Sequence, residues 1–120
     1  MIIRIKPLAF LLLFLLSPLA AMAHTHLERA APKENAVLES APGNITLSFS
    51  NRIEPKFSHI KVTNSEGKFV HDGDTSTSED QRELSTKLIE GLGAGTYEVH
   101  WNVISDDGHR MRGDYSFSVK

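Results

Sequence analysis

The sequence contains no cysteine among its 120 residues and only three methionines. Without cysteine, no disulfide can cross-link and stabilise the fold, and thiolate nucleophiles and thiolate metal ligands are excluded. Basic charge is also scarce, because 13 Lys and Arg stand against 15 Asp and Glu, for a formal net charge of −2. Nucleic-acid binding calls for clustered positive charge, so we expect no nucleic-acid partner.

The only long apolar run of the chain is too short to span a bilayer. Leu8–Leu16 follows a start that carries two basic residues and no acid, and the small-residue site Ala21-Met22-Ala23 comes after it. This order is typical of a secretory signal, whereas a membrane span needs about 20 apolar residues. We therefore predict a signal peptide over residues 1–23 and a single domain of formal charge near −4 over residues 24–120.

Short stretches of this domain alternate between apolar and polar residues. The clearest begins at Tyr97, where Val99, Trp101 and Val103 follow at every second position. Such alternation is typical of half-buried antiparallel strands. Further strand signals lie at 27–31, 45–49, 57–62, 68–71, 84–88 and 115–119. About seven short strands separated by turn residues predict a small all-β sandwich, with at most one helical turn over residues 78–83.

The candidate metal ligands stand at the start of this domain and after its Trp101 strand. Cleavage after Ala23 would make His24 the amino-terminal residue, and its amine and ring Nδ1 can then close a six-membered chelate ring on one ion. Asp107-Gly108-His109 supplies a carboxylate and an imidazole, which on an extended segment point the same way, roughly 6.6 Å apart. Three nitrogens and one oxygen are the donors of a tetragonal Cu(II) site. Without a terminal histidine, the tripeptide would be interpreted simply as a turn.

His26 offers a competing arrangement. An amino terminus with histidine in third position can wrap Cu(II) with its amine, two backbone amides and that imidazole, and Thr25 does not prevent this. One ion cannot use both donor sets. We favour the set with Asp107 and His109, because preorganised side chains lower the cost of binding and no amide has to lose its proton.

Several motifs together resemble the periplasmic copper-resistance protein C (CopC) family. They are Leu-x-x-Ala-x-Pro after His24, Ile-Thr-Leu-Ser-Phe-Ser at 45–50, Gly-Thr-Tyr-Glu-Val-His-Trp-Asn-Val-Ile-Ser-Asp-Asp-Gly-His at 95–109, and Gly-Asp-Tyr-Ser-Phe-Ser-Val at 113–119. The match is specific at both ends and loose over 52–82. The resemblance implies a seven-stranded Greek-key sandwich, cupredoxin-like or Ig-like, and a Cu(II) site formed by His24, Asp107 and His109. It also implies a periplasmic location and an inner-membrane copper transporter of the CopD type as partner.

Some members of that family carry a second, Cu(I) site in a methionine-rich loop. Met111 is the only methionine of residues 24–120 and lies outside the corresponding region. The resemblance is therefore to a YobA-like member, and we predict that the Cu(I) site is missing. His59 and His71 fall in that region and are predicted to be solvated, and His100 is predicted to be exposed on the polar side of the Trp101 strand.

Two functions from different classes follow. The first is a monomeric protein without catalytic activity that binds one Cu(II) per chain and buffers or carries it in copper homeostasis or resistance. The second is a copper monooxygenase that uses an amino-terminal histidine to oxidise a polysaccharide. Oxygen activation needs a vacant coordination position, which an Asp107 carboxylate would fill, so the sequence favours the carrier.

Overall fold

The computed structural model describes Ile2 and residues 24–120, so the predicted signal peptide otherwise lies outside the described residues. Eight β-strands and one 3₁₀ helix, Pro55–Phe57, form the described domain. The strands are β1 (Leu27–Ala31), β2 (Val37–Leu38), β3 (Asn44–Phe49), β4 (His59–Thr63), β5 (His71–Thr77), β6 (Glu83–Leu88), β7 (Gly95–Ile104) and β8 (Arg110–Val119). No helix within the described part is long and apolar enough to cross a membrane.

The strands form two four-stranded sheets with the orders β1-β3-β6-β5 and β2-β8-β7-β4. All pairs are antiparallel except β2 with β8. The chain changes sheet after β1, β2, β3, β4 and β6, and apart from the short β2 the two sheets have the Greek-key order of immunoglobulin-like sandwiches. The predicted all-β sandwich is confirmed. It has one strand more than expected, because the two residues of β2 are too few to produce an alternating pattern.

The core lies between the two sheets and is built from the alternating residues of the central strands. Ile45, Leu47 and Phe49 of β3 are at most 1 % exposed. Tyr97, Val99 and Val103 of β7 are also buried, whereas Trp101 is partly buried and packs against the core from the same strand. Burying such alternating apolar residues is the main favourable term that holds two sheets together.

Two strand predictions were wrong in position. Residues 78–82, where at most one helical turn was expected, form a non-helical turn, because the Ser78 hydroxyl donates to Asp80 Oδ1 at 2.6 Å and Gln81 takes a positive φ of 58°. The strand expected from residue 57 begins at His59, because the 3₁₀ helix that starts at Pro55 includes Phe57. The strand expected at 68–71 lies instead at His71–Thr77.

Candidate metal centre

Three chain segments meet at one end of the sandwich and position the predicted ligands. The backbone of His26 lies against Ser50, just beyond β3, since Ser50 N–H donates to His26 O at 2.9 Å. Two residues further, Arg52 O accepts from Asp106 N at 3.0 Å. Ile53 then forms an isolated bridge with Ser105, and both residues are buried. The segment that follows β3 therefore joins the start of the domain to the turn that carries Asp107 and His109.

Asp107 and His109 lie in the turn between β7 and β8, not on the extended segment that the sequence analysis assumed. Ser105 O accepts from Gly108 N at 2.9 Å, and Gly108 has a φ of +86°, a conformation that glycine adopts without steric cost. The turn nevertheless brings the two donors together, because Asp107 Oδ2 lies 3.0 Å from His109 Nδ1. Gly108 thus curls the backbone so that carboxylate and imidazole face one another directly.

The fully buried hydroxyl of Ser105 fixes the Asp107 carboxylate. It donates to Asp107 Oδ1, which also accepts from the backbone N–H of His109 at 3.2 Å. The Ser105 hydroxyl first, and then the His109 ring and backbone, lower the pKa of Asp107 from 3.8 to about 2. Asp107 is therefore ionised at neutral pH, which is the form that binds a metal ion.

His24 lies beside His109, and the residue that follows it, Thr25, is buried in the domain. Thr25 is 5 % exposed, whereas both neighbouring histidines are exposed. The rings of His24 and His109 have centroids 6.3 Å apart and an interplanar angle of 85°. With metal–nitrogen bonds of about 2.0–2.1 Å, two imidazoles on opposite sides of one ion have centroids roughly 6 Å apart. The separation of these two rings is therefore compatible with a shared ion.

The three predicted ligands do not yet form a closed set. Among residues 24–120, the only three His or acidic residues whose donor atoms all lie within 4.8 Å of one another are elsewhere, on β7 and β8. Asp107 and His109 are already in contact, so His24 is the donor that has to move. Its side chain is exposed, and rotation about its side-chain bonds is the adjustment that would complete the set.

The backbone of His26 takes part in the fold. Its N–H donates to Ser50 Oγ at 2.9 Å, and its ring Nδ1 lies 3.3 Å from His24 O, where a ring N–H can donate to that carbonyl. A copper ion wrapped by the terminal amides would require the His26 amide to lose its proton and its hydrogen bond to Ser50. This contact disfavours the competing arrangement.

The remaining histidines lie away from this turn and only one of them is in the predicted environment. His59 is exposed, as expected. His71 is half-buried rather than solvated, because its Nδ1 accepts from Val62 N at 3.1 Å. His100 is also half-buried rather than exposed, since Asp114 packs against its ring with Oδ1 2.6 Å from Nδ1.

Two serines that position the centre were missed by the sequence analysis. Ser50 holds the backbone of His26, and Ser105 holds the carboxylate of Asp107. A serine at the end of a strand is common and carries no distinguishing signal in one sequence. The position of Ser105 two residues before Asp107 is the only feature that suggests a hydroxyl–carboxylate contact.

Comparison with known proteins identifies the family. Residues 27–120 match the CopC domain family. The chain belongs to this family. It is 40% identical over 114 residues to Protein YobA of Escherichia coli K12, an alignment that covers 94% of this chain and 91% of that protein. It is 33% identical over 111 residues to Copper resistance protein C of Xanthomonas campestris pv. juglandis, covering 88% of this chain and 87% of the other.

A longer relative and two crystal structures extend the comparison. The Copper transport protein CutJ of Bacillus subtilis is 37% identical over 111 residues, which cover 91% of this chain and 20% of CutJ. CopC from Methylosinus trichosporium OB3b superposes with a TM-score of 0.71 at 33% identity, covering 81% of this chain and 94% of that one. PcoC, a methionine-rich copper resistance protein of Escherichia coli, gives a TM-score of 0.70 at 32% identity, and the match covers 82% of this chain and 100% of PcoC. This CopC-family chain is thus a β-sandwich of a copper resistance and copper transport family.

Proposed function

We propose that this protein binds one Cu(II) ion per chain through His24, Asp107 and His109 and carries or buffers copper in the periplasm. The contact between Asp107 and His109, with the His24 ring beside them, is the observation that carries this proposal. Copper is here the cargo. The names of the relatives, which refer to copper resistance and copper transport, support the same function.

The fourth donor would come from processing of the chain. Cleavage after Ala23 would free the amine of His24, so that this residue supplies two nitrogens. His109 adds a third nitrogen and Asp107 one oxygen, and such a set suits tetragonal Cu(II). Because Asp107 is ionised at neutral pH, binding there requires displacement of protons from nitrogen donors only.

Titration of the secreted form with Cu(II) tests this proposal. Mass spectrometry should first show a chain that begins at His24, and electron paramagnetic resonance should then count three nitrogens. Acetylating the terminal amine, or introducing H24A, D107N or H109A, removes a metal ligand itself. Each change should therefore weaken Cu(II) binding by more than ~10- to 100-fold, which is the cost of losing a residue that only orients a ligand. H59A, which removes an exposed histidine elsewhere, is the matched control. Undiminished affinity after acetylation would refute the site.

We further propose that the protein is monomeric and delivers copper to a CopD-type inner-membrane transporter. A domain similar to this one accounts for 20% of a protein named for copper transport, which supports a link between the domain and copper transport. Copper-loaded protein should lose its metal faster to liposomes that contain such a transporter than to empty liposomes. Equal rates would contradict the delivery step while leaving Cu(II) binding untouched.

The names of the relatives and the proposed donor set both favour a copper carrier over a copper enzyme. The polysaccharide monooxygenase considered above needs a vacant position on copper for oxygen. Here Asp107 is held in contact with His109 by Ser105 and by the turn itself, so its carboxylate is available to occupy that position. An ascorbate-driven assay on a sugar polymer should therefore show no turnover above that of free Cu(II).

A further inference from the structure

A second group of side chains of metal-ligand type lies on the outer face of the sheet β2-β8-β7-β4. Glu98 and His100 are two residues apart on β7 and point away from the core, and His100 is paired in register with Asp114 of β8. One donor atom from each of the three lies within 4.8 Å of the others. Metal–ligand bonds of about 2.0–2.2 Å bridge donors up to roughly 4.4 Å apart. Asp114 contacts Nδ1 of His100 and Glu98 faces Nε2, so one carboxylate has to turn to the other edge of the ring for the three to share one ion.

The hydrogen-bonded register of the hairpin holds these donors. Asp114 Oδ1 lies 2.6 Å from His100 Nδ1, and Glu98 Oε2 lies 4.0 Å from His100 Nε2. Thr63 of β4 adds a hydroxyl 3.3 Å from the same Nε2. The donors therefore stand on paired strands of a rigid sheet, which limits the conformational entropy lost when an ion binds.

No lysine or arginine among residues 24–120 forms an ion pair with this group. Within residues 24–120, the only ion pairs of Glu98 and Asp114 at 4.0 Å or less are with His100. Lys61 pairs in register with His100, but its ammonium lies over the Phe69 ring, 5.8 Å from the centroid. Two carboxylates thus converge on one imidazole that is a cation only when protonated, and a divalent cation would balance both.

An open recess of about 180 Å³ lies beside two of the three donors. His100 and Asp114 line it together with Lys61 and Arg112, whereas Glu98 lies outside it. The side chains of the group are partly exposed, at 38% for His100, 51% for Glu98 and 63% for Asp114. An ion bound there can therefore reach its ligands from solvent and complete its coordination with water.

We propose that Glu98, His100 and Asp114 form a second metal site that takes a divalent transition-metal ion of the zinc or copper type. One imidazole nitrogen and two carboxylate oxygens suit such an ion, whereas calcium and magnesium prefer oxygen donors alone. His100 stands four residues before the end of β7, roughly 13 Å along the strand, so this site shares no ligand with His24, Asp107 and His109. With three protein donors against the four proposed for the first site, it is the weaker of the two.

Zn(II) is the probe for this site, used on protein that already holds one equivalent of Cu(II). Copper binds nitrogen and oxygen sites more tightly than zinc, so added Zn(II) should leave the first site occupied and bind one further equivalent. H100A should abolish this second event in calorimetry, while its Cu(II) electron paramagnetic resonance spectrum stays unchanged. E98Q and D114N should each weaken Zn(II) binding by at least ~10-fold.

A charge-matched control separates ligation from general attraction. E79Q removes an exposed carboxylate from the turn between β5 and β6, outside the group, and should leave Zn(II) affinity unchanged. Equal weakening by E79Q and E98Q, undiminished Zn(II) binding by H100A, or no Zn(II) uptake by the wild type would each overturn the proposal. Repeating the titration on H24A should still show Zn(II) bound at the second site, so failure of the copper site and failure of this site are distinguishable.

Discussion

Removing the hydroxyl of Ser105 tests whether the fold itself prepares the carboxylate ligand. Ser105 is fully buried and is the largest cause of the lowered pKa of Asp107. In S105A the pKa of Asp107 should rise from about 2 toward 3.8, because the strongest hydrogen bond to its ionised form is lost. Its carboxylate would also rotate more freely, and loss of a partner that orients a metal ligand costs ~10- to 100-fold in affinity. We expect a fall of that size in Cu(II) binding.

Two measurements check this expectation. Nuclear magnetic resonance titration of the Asp107 carboxyl follows the change in pKa, and competition with a chelator of known strength follows the Cu(II) affinity. S85A is the matched control, because it removes a serine hydroxyl that lies 3.2 Å from Thr46 Oγ1 in the opposite sheet. S105A with intact circular dichroism and undiminished Cu(II) affinity would refute the argument that this hydrogen bond prepares the site.

Two further predictions concern packing and pH. A Cβ on Gly113 would lie 2.5 Å from Trp101 Cζ2, so G113A should destabilise the fold by ~1–3 kcal/mol and shift the fluorescence of the only tryptophan. G43A is the control and should do neither, because the space around its Cβ is open. Equal melting temperatures for the two variants would contradict this prediction. Because the folded pKa of Asp107 is lowered to about 2, its contribution to apo-protein stability should be complete above about pH 4 and lost as pH falls toward 2. In D107N the stability of the apo protein should therefore depend less on pH between about pH 4 and pH 2. An unchanged acid unfolding curve would count against the Ser105 contact.

The fold class could be predicted because its physical cause is local. In a strand, successive side chains point to opposite faces. A strand that buries one face therefore shows apolar residues at every second position of its sequence. Residues 97–103 therefore predicted the central strand, and all its apolar members pack in or against the core. The strand at 71–77 was displaced from its predicted position because its residues carry almost no apolar alternation.

The candidate site was only partly accessible to sequence reasoning. His24, Asp107 and His109 were proposed as ligands from a predicted cleavage point, a short motif and a family resemblance. The geometry was wrong in detail, because Asp107 and His109 were placed on an extended segment, whereas they lie in a turn in which Gly108 has a positive φ. Ser50 and Ser105 had no signal of their own, since their roles depend on segments that meet only after folding.

The sequence by itself determined the two-faced strands, the absence of thiol chemistry and the supply of imidazole and carboxylate donors. These features follow from residue type and from the two-residue period of a strand. Only the tertiary structure decided which donors meet, because residues 24, 50 and 105 are far apart in the chain and come together at one end of the sandwich. The same holds for His100 and Asp114, which are neighbours through the register of a hairpin. Strand pairing is cooperative, so no single residue specifies it, and the sites depend on it.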